Sequence, residues 1–235
     1  MKGLLAPIAA VWVAVLAAAA GPAGAGERGV LVELFTSQGC SACPPADRML
    51  AELAGREGVI ALALHVDYWD YIGWKDSFAQ PKFTARQKAY ARANHSRSVF
   101  TPQIIVGGQD RVMGAKAMKV MDLIRAHAQA SSPVSVALAR EGGTLSVTLA
   151  TEQAVGPADV QLVRYRPAAT VHIKRGENAG RTLDYANIVT DWKPLGRWDG
   201  SAPLRLSVEV EGDRPIVVVV QKAGHGPVLA AARLR

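Results

Sequence analysis

The sequence predicts an α/β domain followed by an all-β, antiparallel and sandwich-like C-terminal region. Between Val30 and about Ala130, apolar runs of strand length alternate with helix-forming stretches in the order β-α-β-α-β-β-α. The composition changes at Ser131-Ser132-Pro133, and beyond it helical periodicity gives way to six or seven short apolar runs. The pair Gly142-Gly143 is typical of a hairpin turn between the first two of these runs.

The first half contains four predicted strands and three predicted helices. The strands are Val30 to Phe35, Val59 to Val66, Phe100 to Val106 and Asp110 to Met113, and the helices are Asp47 to Ala54, Lys82 to Asn94 and Ala115 to Gln129. Two buried strands separated by a helix favour parallel pairing, whereas the Gly107-Gly108-Gln109 turn joins the last two strands as an antiparallel hairpin. This order predicts a mixed α/β sheet.

The second half contains apolar runs at 134–139, 144–150, 160–165, 169–174, 204–210, 216–221 and 228–234. We expect them to form a β-rich unit, either a sandwich or a sheet packed onto the first half. The predicted organisation is therefore a signal peptide at 1–25, an α/β domain at 26–131 and a β-rich domain at 132–235.

The N-terminus has the pattern of a secretory signal peptide. Lys2 precedes an uncharged apolar run from Leu4 to Ala20, and Ala23-Gly24-Ala25 matches a cleavage site of small residues. The alternative is an uncleaved anchor, since the run is close to the minimum of about 17 residues that can span a bilayer. Cleavage after Ala25 predicts a periplasmic or secreted protein that is not attached to a membrane and in which a disulfide can persist.

The charge argues against a nucleic-acid partner. The formal net charge is +7, and loss of Lys2 with the signal peptide lowers it to +6. The basic residues are spread along the chain, without a cluster and without interleaved aromatic residues. We interpret the charge as a solvated surface that favours acidic partners.

The only two cysteines stand as Cys40-Ser41-Ala42-Cys43, between a predicted strand and a predicted helix. A Cys-x-x-Cys at such a junction is typical of a redox centre, because the helix N-terminus favours the thiolate of the first cysteine. We therefore expect Cys40 to attack and Cys43 to resolve the mixed disulfide. The alternatives are a structural bridge, which would stabilise a four-residue ring by only roughly 2 kcal/mol, and a metal site, for which zinc would need more ligands than the sequence offers.

The first half resembles the thioredoxin-like superfamily in its strand-CxxC-helix order and in the later segment Thr101-Pro102-Gln103-Ile104-Ile105-Val106-Gly107-Gly108. The resemblance implies a thioredoxin-like fold, a cis bond before Pro102, and substrate binding by Thr101 and Pro102 beside the cysteines. It also gives Glu33 a catalytic role, because Glu33 falls near the buried carboxylate of thioredoxins when one inserted residue is allowed. A solvated acid at the end of a strand is the alternative for Glu33.

The whole chain resembles a narrower group, the secreted bacterial proteins of unknown function with a thioredoxin-like domain. The residues that carry this resemblance are Glu33 to Asp47, His65 to Trp74, Thr101 to Gln103 and Arg175 to Arg181. Within them, the aromatic residues Tyr68 and Trp69 leave a strand at the same sheet edge as Cys40, and we expect them to line a substrate groove. The alternative is an aromatic cap over the core.

Three functions follow from these patterns. The first is a secreted thiol-disulfide oxidoreductase that acts on protein thiols or disulfides, or on a redox partner protein, with no cofactor. The second is a metal-delivery protein with Cys40, Cys43 and His65 as a Cu(I)-type site, although His65 also fits a hydrogen-bonded core position. The third is a non-catalytic binding module with a structural disulfide. The basic loop from Lys174 to Arg181 is either an anion site or a solvated turn.

Overall fold

The computed structural model describes residues 26–235, so the predicted signal peptide lies outside the described residues. Most of the regular structure is β. The strands are β1 (Glu27–Arg28), β2 (Val30–Thr36), β3 (Val59–His65), β4 (Gln103–Val106), β5 (Asp110–Met113), β6 (Val134–Glu141), β7 (Thr144–Thr151), β8 (Ala158–His172), β9 (Thr182–Trp198), β10 (Leu204–Glu209), β11 (Ile216–Lys222) and β12 (Val228–Leu234). The helices are α1 (Pro44–Ala54), α2 (Pro81–Ala93) and α3 (Ala117–Gln129), with one 3-10 turn at Asp70–Ile72.

Nine of the described strands form one sheet in the order β1-β12-β11-β8-β9-β3-β2-β4-β5. Pairing is parallel between β2 and β3 and between β3 and β9, where Ala63 pairs with Ile188. The other six pairings are antiparallel. The longest pairing joins β8 to β9, a hairpin that extends from Ala158 and Trp198 to His172 and Thr182.

The predicted fold class, a thioredoxin-like α/β domain followed by an all-β sandwich-like region, is wrong. Apart from the additional short strand β1, the order of strands and α-helices up to α3 agrees with the prediction, but strands of both halves share the nine-stranded, mostly antiparallel sheet. The two halves share one sheet because β9 pairs with the free edge of β3 and connects it through β8 to β11 and β12. The division of the chain at residues 131 and 132 stays a prediction.

The two faces of the strands that precede Cys40 bury different helices. Val32 and Leu34 of β2 pack against Leu50 of α1 and Ile124 of α3. Alternate residues of the same strand lie on the other face, where Phe35 packs edge-on against Tyr90 of α2 with ring centroids 6.4 Å apart. Because both faces are covered, β2 is buried along nearly its whole length.

A second sheet of three strands, in the order β10-β7-β6, covers part of the large sheet. Its apolar residues, such as Val136 and Val147, share a core with Leu162 of β8 and Val218 of β11.

Among the described helices, none has the length and hydropathy of a membrane span. The two cysteines lie between the end of β2 and the start of α1.

Candidate redox site beneath a hairpin loop

Cys40 and Cys43 form a disulfide between the end of β2 and the start of α1. The Cys43 carbonyl accepts hydrogen bonds from the backbone N–H groups of Ala46 at 2.8 Å and Asp47 at 3.1 Å, so Cys43 caps the helix. Pro44 and Pro45 occupy the first two helical positions and have no N–H group to offer a thiolate. The helix terminus therefore stabilises a cysteine thiolate less than a terminus with free N–H groups would.

The disulfide is buried. Cys40 is 1% exposed and Cys43 is 0% exposed, although Ser41 and Ala42 between them are on the surface. Oxidant, reductant or partner must therefore displace part of the protein before it reaches either sulfur.

A hairpin loop from the C-terminal half lies against the Cys40 segment. This loop, residues 173–181 between β8 and β9, is called the β8–β9 loop below. The buried Asn178 donates through Nδ2 to the carbonyls of Gln38 at 2.9 Å and Cys40 at 3.0 Å, and the Ser41 N–H donates to Glu177 Oε2 at 3.1 Å. The predicted anion site or solvated turn is thus a cover that bonds to the backbone around Cys40.

Aromatic residues after β3 hold the other side of this segment. Trp69 lies against Gly39, where an added Cβ would stand 3.2 Å from the Trp69 Cβ, and its Nε1 donates to Thr101 Oγ1 at 2.7 Å. The Thr101–Pro102 peptide bond is cis, as the resemblance implied, and Pro102 is buried at the start of β4 beside β2. Trp69 therefore lies against the Cys40 segment, and Thr101 is linked to that segment through Trp69.

Tyr68 is half-buried and packs against the core on the α2 side of the sheet. Burial raises the pKa of Tyr68 to about 12. Its hydroxyl has no hydrogen-bond partner within residues 26–235. Tyr68 and Trp69 both pack, partly buried, against this core.

Glu33 is not brought to the disulfide. Its side chain is fully buried on the α2 face of the sheet, whereas α1 packs on the other face. There Arg86 of α2 donates from Nε to Oε1 at 2.7 Å and from Nη2 to Oε2 at 3.2 Å, and the Tyr90 hydroxyl donates to Oε2 at 2.6 Å. The two-pronged ion pair and the hydroxyl give Glu33 the contacts of a structural carboxylate.

Asp47 is the buried acid nearest to the cysteines along α1, and the sequence patterns did not single it out. It lies one turn after Cys43, and its Oδ1 accepts a hydrogen bond from Thr36 Oγ1 at 2.8 Å. Its Oδ2 is buried without a hydrogen-bond partner in the described part of the chain. Burial raises the pKa of Asp47 to about 7, against the opposing effect of His65, so this carboxyl can hold or release a proton near neutral pH.

His65 and Asp76 form a second buried pair beside Asp47. His65 Nδ1 lies 2.7 Å from Asp76 Oδ2, and both side chains are completely buried. Burial alone would lower the pKa of His65, but the charge and hydrogen bond of Asp76 outweigh burial and raise it. Burial likewise would raise the pKa of Asp76, yet His65 and the N–H groups of Gln38 and Phe78 lower it.

The position of His65 bears on the copper hypothesis. Its ring packs edge-on against Phe78 and Tyr185, with centroids 5.2 and 5.0 Å away. Its Nδ1 is committed to Asp76. Over residues 26–235 no set of three or more His, Cys, Asp or Glu side chains is arranged to hold a metal ion.

Comparison with protein families identifies the chain. The family described as "Protein of unknown function (DUF1223)" matches residues 31–221, which include the cysteines, the aromatic segment and the β8–β9 loop. The chain belongs to this family. The resemblance to a family of unknown function is thereby confirmed.

Two solved structures are similar to this DUF1223 protein. The crystal structure of protein AGR_C_4864 from Agrobacterium tumefaciens shares 32% sequence identity, with 87% of this chain and 93% of that chain covered and a TM-score of 0.75. HBP35 of Porphyromonas gingivalis shares 16% identity, with 89% and 75% covered and a TM-score of 0.62, which indicates similarity of fold alone. No curated protein matches the chain.

Asp47 and Asn178, which the sequence patterns did not select, have only weak signals in the sequence. Asp47 is a charged residue on the apolar side of α1, four positions after Cys43, and that position alone indicates a buried acid beside the cysteine. Asn178 lies in a segment rich in Gly and Asn, which predicts only a turn. Its contact with Cys40 spans 138 positions of the chain, a separation that local patterns do not reveal.

The raised pKa of Asp47 predicts a specific pH dependence of the free energy of unfolding. The pKa of its carboxyl is raised from 3.8 to about 7 in the folded protein, where His65, Asp76, Arg48 and Tyr185 are the surrounding titratable groups. Its contribution is therefore favourable at acidic pH and is lost as the pH rises through about 7. We expect Asp47→Asn to raise the free energy of unfolding at pH 8 by about 2–4 kcal/mol more than at pH 4.

Urea unfolding of wild type and Asp47→Asn at both pH values measures this difference. The exposed Asp122→Asn provides the matched control, which should show the pH dependence of the wild type. Parallel pH profiles for Asp47→Asn and wild type would contradict the assignment of a raised pKa to this carboxyl.

Proposed function

We propose that this protein is a thiol-disulfide oxidoreductase that exchanges its Cys40–Cys43 disulfide with the thiols or disulfides of partner proteins. One observation carries the proposal: the two cysteines are bonded at the N-terminus of α1, one turn before a buried acid whose pKa is about 7. A purely structural bridge has no need of a carboxyl with that pKa at this position.

The exchange proceeds in two displacements. A partner thiolate attacks Cys40 Sγ, the Cys40–Cys43 bond breaks, and the electron pair leaves on Cys43 Sγ, which takes up a proton that Asp47 can supply. The second partner thiolate then attacks the partner sulfur of the mixed disulfide and releases Cys40 as a thiolate. The partner's two thiols are oxidised to a disulfide, and Cys40 and Cys43 are reduced; the reverse reaction uses the same steps.

Thr101, Pro102 and Trp69 would bind the partner in this scheme. The hydrogen bond between Trp69 and Thr101 joins the aromatic segment to the start of β4, and Trp69 itself lies against Gly39 of the Cys40 segment. A periplasmic or secreted location, proposed from the signal pattern at 1–25, supplies the protein thiols and disulfides that such an enzyme needs.

A non-catalytic binding module with a structural disulfide is the second candidate. The burial of both cysteines favours it, because structural disulfides are shielded from exchange. In that case the β8–β9 loop would close the site permanently, and its contacts with Gln38 and Cys40 would be contacts of the core.

Mixed-disulfide trapping separates the two candidates. We expect Cys43→Ala to accumulate covalent, reductant-sensitive adducts with proteins of the native compartment, because the resolving thiol is absent while Cys40 still attacks. The matched control is Cys40→Ala, which lacks the attacking thiol of the proposed exchange and should yield at least about tenfold fewer adducts. Absence of adducts in both variants, with both proteins folded, would contradict the exchange function and leave the structural disulfide.

A further inference from the structure

Side chains of the β8–β9 loop form hydrogen bonds with the backbone groups around Cys40 that a bound peptide would use. Two carbonyls of the segment, those of Gln38 and Cys40, accept from the side-chain amide of Asn178, and the Ser41 N–H donates to the carboxylate of Glu177. The backbone of an extended polypeptide presents N–H donors for the two carbonyls and a carbonyl oxygen that can replace the Glu177 carboxylate as acceptor. Side chains of the protein itself therefore occupy the backbone carbonyls and the N–H next to Cys40 that could bind a peptide.

We propose that Asn178 and Glu177 are specificity-determining residues, which keep small thiols from the Cys40–Cys43 disulfide and yield to an extended polypeptide that takes over their hydrogen bonds. The proposal rests on the proposed function and deepens it by naming the substrate class. An extended chain replaces each hydrogen bond that it breaks, whereas a small thiol leaves the two carbonyls and the N–H unpaired.

The loop is built to hold these two side chains in place. Arg181 Nη1 donates to Asn178 Oδ1 at 2.8 Å, which fixes the orientation of the amide so that Nδ2 faces the two carbonyls. The Gly180 N–H donates to the Ile173 carbonyl at 2.8 Å and closes the loop. Gly176, at a φ of +78°, lies against Trp74, where an added Cβ would stand 3.3 Å from the Trp74 Cβ.

Few buried side chains of 174–181 would have to move for the loop to open. Lys174, Arg175, Glu177, Ala179 and Gly180 are exposed, and Asn178 is the member of 174–181 that is buried. Hydrogen bonds from Ser41 hold the pKa of Glu177 below its ordinary value, so this side chain is anionic at neutral pH. A negative charge beside the Cys40 segment disfavours the approach of small anionic thiolates.

The test compares rates of reduction of the Cys40–Cys43 disulfide by two reductants, dithiothreitol and a reduced, unfolded polypeptide that contains two cysteines. We expect Asn178→Ala to accelerate reduction by dithiothreitol by about 10- to 100-fold, because two hydrogen bonds that close the site are removed. Glu177→Gln should accelerate it by about 2- to 5-fold, since an exposed hydrogen bond is weakened and a charge is removed. The rate with the polypeptide should change by less than about 3-fold in either variant.

Arg175→Ala is the matched control, because Arg175 is an exposed residue of the same loop and should leave both rates at the wild-type values. Glu177→Gln changes only an exposed side chain and keeps the test valid if Asn178→Ala fails to fold. Equal acceleration with both reductants would overturn the proposal, because it would indicate general loosening, and so would wild-type rates in folded Asn178→Ala or Glu177→Gln. If Asn178→Ala and Glu177→Gln accelerate the reaction with dithiothreitol alone, but Cys43→Ala traps no adducts, the loop shields the disulfide from small thiols and exchange with proteins is refuted.

Discussion

Replacement of Arg86 by methionine is expected to lower the free energy of unfolding by about 3–5 kcal/mol. The change leaves the carboxylate of Glu33, which is 0% exposed, without the guanidinium that neutralises it, while Tyr90 is the one side-chain donor that remains within residues 26–235. Denaturant unfolding at pH 8 measures the effect.

The double variant with Arg86→Met and Glu33→Met is the informative control. Removal of both charges replaces an ion pair by apolar side chains of similar size, which in buried sites is often close to neutral. The double variant should therefore be more stable than Arg86→Met alone at pH 8. A loss below about 1 kcal/mol in Arg86→Met, a value typical of exposed pairs, would contradict the structural role of this ion pair.

Replacement of Asp76 by alanine is expected to lower the free energy of unfolding by a similar amount, about 3–5 kcal/mol. Asp76 accepts hydrogen bonds from the N–H groups of Gln38 and Phe78 and pairs with His65, so its removal leaves two buried groups and one half-buried N–H without their partner. The free Gln38 N–H stands two residues before Cys40, and hydrogen exchange of the 38–41 backbone should accelerate accordingly.

Asp122→Ala serves as the control for Asp76→Ala. Asp122 forms an exposed i,i+3 ion pair with Arg125, whose loss should cost less than about 1 kcal/mol. Unfolding free energies that are equal in the two variants would show that Asp76 does not anchor the Cys40 segment.

Local patterns predicted the three helices and four of the five strands before residue 131 because each of them has its own periodicity; the short β1 was not predicted. The predicted run from Val59 to Val66 corresponds to β3 at Val59–His65, and the predicted helix from Lys82 to Asn94 corresponds to α2 at Pro81–Ala93. The longest strand, β9, was not predicted, because Thr182–Trp198 includes Asp, Lys, Pro and Gly residues and is only partly buried. The fold class depended on that strand, since β9 is what joins β3 to the second half.

The candidate site was predictable to the extent that it is local. The CxxC spacing and the strand-to-helix junction identified Cys40 and Cys43, and the two cysteines are bonded at that junction. Glu33 was selected by resemblance, but the period of two along β2 places it on the face opposite α1. Asn178 and Asp76 reach the Cys40 segment from distant parts of the chain, and only the tertiary structure shows those contacts.

The midpoint potential of the Cys40–Cys43 pair tests the exchange function most directly. Equilibration of the wild-type protein in thiol-disulfide buffers, with alkylation and mass measurement of both cysteines, gives this value. A protein that exchanges disulfides with partners should have a potential between about −270 and −120 mV. A potential below about −300 mV would contradict the proposed function and identify the pair as a structural disulfide.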